Sequence, residues 1–231
     1  MTNGSPSSDS SSGSNGKSER ASRSVPAGLS EATLTGIEAH LRQRELRREE
    51  LYQRARRLRR LAQSTMSRLH AERTVPPAVA EVRKELAELA DWLRREGRGD
   101  EGLALDALQE GVEAVLLAAV VGGTELPGPS DLGVDPEPYL LGLGDVVGEV
   151  RRRVLDRLAH DDLVGAEAHL ALMDTLTRDL LRFDTTRAIV QLKPKQDTAR
   201  SLLERTRGEV VMARLHLRAQ GSGTGAGREG R

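Results

Sequence analysis

Every long segment of this chain repeats its apolar residues at three- and four-residue spacing, and none alternates apolar with polar. That period belongs to helices that each bury one stripe against a neighbour, so the chain is committed to an all-α fold. The first helix is expected to start at Ser30, whose hydroxyl can cap it, and to stop near Arg73, ahead of Val75-Pro76-Pro77. Its stripe is Leu34, Ile37 and Leu41, then Leu51, Ala55, Leu58, Ala62 and Leu69. A second begins at Pro77 and carries Val79, Val82, Leu86, Leu89 and Leu93 until Gly97 and Gly99 end it. The third covers residues 101–121, and its last turns, AVLLAAVV, are apolar all round, which requires burial inside the bundle or against another subunit. After the Gly/Pro-rich loop GGTELPGPSDLGVD, Asp135-Pro136 opens a fourth helix that runs to about His160. A fifth follows Asp161-Asp162 to about Phe183, and a sixth follows Pro194 to about Leu217. Short connections between such helices imply an antiparallel bundle of about six to seven helices.

The two ends have a different composition. Residues 1–28 and 220–231 are rich in Ser and Gly and cannot bury enough apolar surface to offset the entropy of ordering, so one helical domain is expected over 29–219 between two disordered tails. The chain has no cysteine, which excludes thiol catalysis, disulfides and thiolate metal sites and makes a cytoplasmic location the natural expectation. Neither an apolar leader core nor a membrane-length apolar run is found in the sequence. Aromatic residues are 2% of the chain, too few for the stacking platforms of many single-strand binders. The sequence also lacks an internal repeat, a phosphate-binding glycine loop, HExxH and a Ser/His/Asp signature.

Net charge is zero, but the charge is segregated. From Leu41 to Arg73 there are eleven Arg against four Glu, whereas from Glu96 to Glu149 there are twelve acids and one base, Arg98. A basic first helix beside an acidic middle suits a surface that handles a polyanion around a cation site; a merely solvated charged face explains the first helix equally well. Within the acidic middle, Glu110 and Glu113 are three apart in LQEGVEAVLL, and Asp145 and Glu149 are four apart in YLLGLGDVVGEVRRR. Each pair therefore projects from one helix face, and beside apolar residues the repulsion within it is relieved best by a hard divalent cation, Mg²⁺ or Mn²⁺. The helical wheel leaves a plainer reading open, because all four acids lie off the core stripes and can be surface charges. Gly111, Gly142, Gly144 and Gly148 flank the acids at a cost of about 1 kcal/mol each relative to alanine. Either tight helix packing or room for a substrate backbone accounts for them. The Glu-x-x-His pattern of di-iron bundles is absent, and the five histidines read as surface or capping residues.

The run PYLLGLGDVVGEVRRRVLDRL, the helix HLALMDTLTRDLLRFD and the basic last helix together resemble the translin family, as does REELYQRARRLRRLAQSTMSRLH ahead of a proline-marked second helix. The resemblance covers roughly residues 31–218. Within the family, the nuclease-competent paralogue, translin-associated factor X, is marked by Gln-Glu-x-x-Glu and Asp-x-x-x-Glu, and this chain has both, at Gln109 to Glu113 and at Asp145 to Glu149. The resemblance thus implies that Glu110, Glu113, Asp145 and Glu149 are catalytic, Mg²⁺-binding residues facing the chamber of a higher oligomer. Octamers are the family pattern, and a homo-oligomer is the simpler form for a single chain with the whole acid set. One departure is that the Arg/His-rich segment with which translin contacts nucleic acid is GLALDAL here. RNA contact is therefore expected from Arg56, Arg59 and Arg60 on the first helix and from Arg83 and Lys84 on the second.

These readings converge on a Mg²⁺-dependent endoribonuclease acting on single-stranded or short RNA inside an oligomeric chamber. Two alternatives stand beside it: a non-catalytic ring that binds RNA or single-stranded DNA, and a helical scaffold with no nucleic-acid role.

Overall fold

The helical period is realised as seven helices in a computed structural model that describes residues 28–72, 74–96, 101–184 and 189–223, the side chains of residues 72, 101 and 220–223 excepted. They are α1 (Glu31–Glu72), α2 (Ala78–Glu96), α3 (Glu101–Gly122), α4 (Pro129–Leu132), α5 (Pro136–Ala159), α6 (Leu163–Leu181) and α7 (Leu192–Gly223). No strand occurs among the described residues, and no described helix is long and apolar enough to cross a membrane. The expected stop signals at Gly97 and Gly99, and the expected tails apart from Gly28 and the backbone of residues 220–223, lie outside the described residues.

The chain divides into two compact units, Met1–Arg42 and Gln43–Arg231. In the first, the described part is the opening of α1, capped as expected: the Thr33 N–H donates to Ser30 Oγ at 3.2 Å. Leu34, Ile37 and Leu41, expected in the core, are instead 42%, 46% and 52% exposed. Their spacing still makes them one apolar helix face, so the sequence pattern locates the face correctly without saying that this chain covers it.

The second unit holds one principal core. Leu51, Leu58, Val82, Leu86, Val112, Leu116, Val147 and Val150 are all essentially sealed from solvent within it. Each such side chain contributes about 1.5–3 kcal/mol relative to exposure. Of the AVLLAAVV turns of α3, Ala114 to Ala119 are buried inside this unit at 9% exposure or less, and Val120 and Val121 are partly buried. α5 is the central element, packed against α3, α6 and α7. Asp161, in a left-handed conformation with φ 56°, turns the chain from α5 into α6, and the Asp162 side chain caps α6 by accepting from the Gly165 N–H.

Two details depart from the sequence reading. The loop before α5 contains α4, a single turn too short to show a period, held by the Gly128 N–H donating to Asp131 Oδ2 at 2.8 Å and closed at Gly133 with φ 64°. α7 starts at Leu192 rather than after Pro194, and it runs to Gly223 rather than to about Leu217, so its helical backbone takes in residues 220–223 of the expected tail. A proline in the first turn removes only an N–H that has no partner within the helix, so the helix can begin ahead of it.

Candidate metal centre

The site begins with a glycine. A methyl group on Gly142 would stand 2.8 Å from the Gln109 carbonyl oxygen and 2.8 Å from Val112 Cγ1, so α5 lies with its backbone directly on α3. The contact falls one residue before Glu110 and three before Asp145, and it fixes the two acidic segments side by side. Glu110, Asp145 and Glu149 are only 24%, 26% and 22% exposed, so they are not plain surface charges.

Two of the four acids are bonded by other helices, and a third lies against one. Glu110 accepts from Arg59 Nε at 2.7 Å and from Gln63 Nε2 at 3.0 Å, both on α1. Asp145 accepts from Gln109 Nε2 at 2.5 Å through Oδ2 and from the Lys195 ammonium through Oδ1. Glu149 Oε2 lies 3.1 Å from His70 Nε2. That last contact is not an ion pair. Burial lowers the His70 pKa more than Glu149 raises it, with Arg152 and Arg153 lowering it further, and the imidazole is therefore neutral. Glu149 Oε2 is left buried without a hydrogen bond. Glu113 makes no ion pair or side-chain hydrogen bond among the described residues. Burial first, then the charges of Asp145 and Glu149, push its pKa up to about 7 against a partial offset from Lys195.

In chemistry this donor set fits a hard divalent cation. It offers carboxylate oxygens only, one of them buried and unbonded, around Glu113, whose raised pKa is offset only in part by Lys195. As they stand, no three carboxylate or imidazole groups among the described residues are close enough to share one ion. Arg59, Gln63, Gln109 and Lys195 hold the acids towards themselves, so a cation would have to draw the acids inward from these donors.

The flanking glycines serve helix packing. Beyond Gly142, a methyl on Gly111 would meet Leu86 Cδ1 at 3.0 Å and Leu58 Cδ1 at 3.2 Å, and one on Gly144 would meet Lys195 Cβ at 2.9 Å. Gly148 has only an ordinary 3.9 Å contact with Leu202, which leaves its choice unexplained.

Of the expected basic residues, Arg56, Arg59 and Arg60 line one groove of about 440 Å³ between α1 and α3, together with Gln63 and the half-exposed Tyr52. Asp106 also lines this groove, and two of its lining residues, Arg59 and Gln63, are the ones that bond Glu110. Arg83 and Lys84 are elsewhere, on the exposed face of α2, where Lys84 lies 3.8 Å from Glu88. The reading of all histidines as surface or capping groups is corrected at His70, which is half-buried against Glu149; His160 and His169 do bond back to their own helices. Sequence reasoning misses Lys195 and Gln63 altogether. Lys195 is fifty positions from Asp145 and Gln63 forty-seven from Glu110, separations at which no local pattern carries a signal.

Fold and site together define an all-α bundle with a carboxylate cluster at the crossing of its third and fifth helices. No family model matches the chain. Among curated proteins, uncharacterized protein MJ0175 of Methanocaldococcus jannaschii is 38% identical over 104 residues, which is 45% of this chain and 47% of that protein, so the match spans about half the relative's length. Among solved structures, AfC3PO is 30% identical with a TM-score of 0.70 over 80% of this chain and 98% of that one. The AfC3PO–duplex RNA complex is also 30% identical, with a TM-score of 0.67 over 80% and 97%. Apo-NeC3PO, at 20% identity with a TM-score of 0.70 over 80% and 100%, shares the fold. On the identity and coverage of AfC3PO, this chain belongs to the translin/C3PO family.

Proposed function

We propose that this chain is a divalent-metal-dependent endoribonuclease that works as a homo-oligomer. The observation that carries the reading is the contact of α5 on α3 at Gly142, which sets the two acidic segments side by side so that, on top of burial, Asp145, Glu149 and Glu110 all raise the Glu113 pKa against only a partial offset from Lys195. Glu113 and Asp145 are the primary ligands in this reading, and Glu110 and Glu149 complete the shell or orient water. When bound there, Mg²⁺ or Mn²⁺ supplies Lewis-acid stabilisation of the phosphate and an activated water. The chain's own contribution is to fix the backbone crossing that sets the acidic segments side by side, and to offer Arg56 and Arg60, in a groove shared with the Glu110 partners Arg59 and Gln63, for sequence-independent grip on the RNA backbone. The solved AfC3PO complex contains duplex RNA, so duplexes belong beside single strands among the substrates to try. Assembly is supported by the exposed apolar face of Leu34, Ile37 and Leu41, which a second copy would cover.

The test is cleavage of end-labelled single-stranded and duplex RNA with Mg²⁺, with EDTA, and by Glu113→Ala. Cleavage in the first condition only is expected; equal cleavage in all three would sink the proposal. A second reading, a non-catalytic oligomer that binds RNA, is favoured by the internal donors already seated on Glu110 and Asp145. Steeply salt-dependent RNA retention without cleavage under any metal would select it.

A further inference from the structure

Two independent features single out Lys195. Its ammonium rests on Asp145 Oδ1, with the two side chains 29% and 26% exposed. Its stem lies along α5 where Gly144 has no side chain: a methyl there would stand 2.9, 3.2 and 3.4 Å from Lys195 Cβ, Cγ and Cδ. The first three carbons of the lysine thus occupy a slot in the α5 surface. Exposed Lys–carboxylate pairs are weak largely because a long side chain must be ordered to make them, and here packing has already ordered the stem.

We propose that Lys195 is a resident counter-cation of the carboxylate cluster, competing with the divalent cation for Asp145 and so setting how much metal the site needs. The inference rests on the metal-dependent reading above. Both Asp145 oxygens are engaged, Oδ2 by the Gln109 amide and Oδ1 by Lys195, so an ion that ligates Asp145 has to share the carboxylate with these donors. The amide is neutral and can stay beside a cation, whereas an ammonium on the same carboxylate repels it. Lys195 is therefore the group that leaves, and its removal lowers the barrier to loading. A lysine serving only as a strut between α7 and α5 would affect stability without favouring metal.

The experiment is Mg²⁺ titration of the full-length chain by calorimetry and by thermal shift, comparing wild type with Lys195→Met, Gly144→Ala and Glu113→Gln. Lys195→Met keeps the stem and removes the charge. It is expected to bind Mg²⁺ about tenfold more tightly, the scale of one charge-assisted hydrogen bond that the metal no longer has to break. The Mg²⁺ concentration for half-maximal cleavage should fall in parallel. Gly144→Ala crowds the stem out of its slot and should act in the same direction by less. Glu113→Gln should lose the binding, which locates it at this cluster. If wild type shows no saturable Mg²⁺ binding, or Glu113→Gln binds as wild type does, the metal-dependent reading falls and takes the inference with it. If wild type binds at this cluster but Lys195→Met binds equally or more weakly, the inference alone is overturned.

Discussion

Gly142→Ala tests the crossing on which the site depends. The added methyl would come to 2.8 Å from both the Gln109 carbonyl oxygen and Val112 Cγ1, and to 3.0 Å from Val112 Cβ. A flexible side chain could swing away, but a backbone oxygen and a β-branched stem in the core cannot, so α5 has to lift from α3. Overpacking of this kind costs about 1–3 kcal/mol. The upper half of that range applies where the obstacle is backbone. Replacing a helix-interior glycine by alanine returns about 1 kcal/mol of propensity. The net loss is therefore about 1–2 kcal/mol, a fall in Tm of about 2–8 °C for a chain of this size. Gly208→Ala is the control, since a methyl there meets nothing within 4 Å and only the propensity gain remains. Thermal and urea unfolding of the two variants should shift in opposite directions. Lifting α5 also carries Asp145 away from Glu113, so Mg²⁺ affinity should drop in Gly142→Ala and stay unchanged in Gly208→Ala. A Gly142→Ala protein as stable as wild type would refute the packing argument, and with it the explanation of how the two acid pairs are held together.

Glu113→Gln should stabilise the metal-free protein above pH 7 and leave it unchanged below pH 4.5, because the folded-state pKa is raised from 4.5 to about 7. A raised acid favours folding while protonated, and that advantage is lost as pH rises from the unfolded value through the folded one. The ceiling on the gain is about 3 kcal/mol, at roughly 1.4 kcal/mol per pH unit. Solvent contact with part of the carboxyl reduces it to roughly 1–2 kcal/mol. Melting curves in EDTA across pH check the sign, and a variant less stable than wild type above pH 7 would show that Glu113 is held by a partner instead. Arg56→Ala/Arg60→Ala should weaken RNA binding and flatten its logarithmic salt dependence by about 0.7–0.9 per arginine removed. Arg83→Ala/Lys84→Ala, outside the groove, should leave that slope alone, and filter binding across a KCl series separates the two.

What the sequence made legible follows the range of the interactions. Helices showed because their period is local, and Ser30, Asp135-Pro136 and Pro76-Pro77 marked termini because caps and prolines act within a turn. α4 did not show, since four residues contain barely one period. The acid pairs were visible for the same reason as the helices, being three and four apart. That the two acidic segments lie side by side depends on Gly142, which the sequence marked as a place of close approach without naming what approaches.

The chemistry of the site was less legible still, because it turns on which charges are already answered. Counting residues puts four negative charges at the crossing. In the fold, Arg59 answers Glu110 and Lys195 answers Asp145, from fifty-one and fifty positions away, while His70 beside Glu149 is uncharged and Glu113 is half protonated near neutrality. The demand for a counter-charge is thus concentrated on Glu113, with Glu149 beside it, and not spread over four equal acids. A divalent ion entering there would gain most from ionising Glu113 fully and would lose most in taking Asp145 from Lys195. For that reason Glu113 and Lys195, an acid and a base on helices that the sequence pattern does not connect, are the two residues whose removal should move metal affinity in opposite directions.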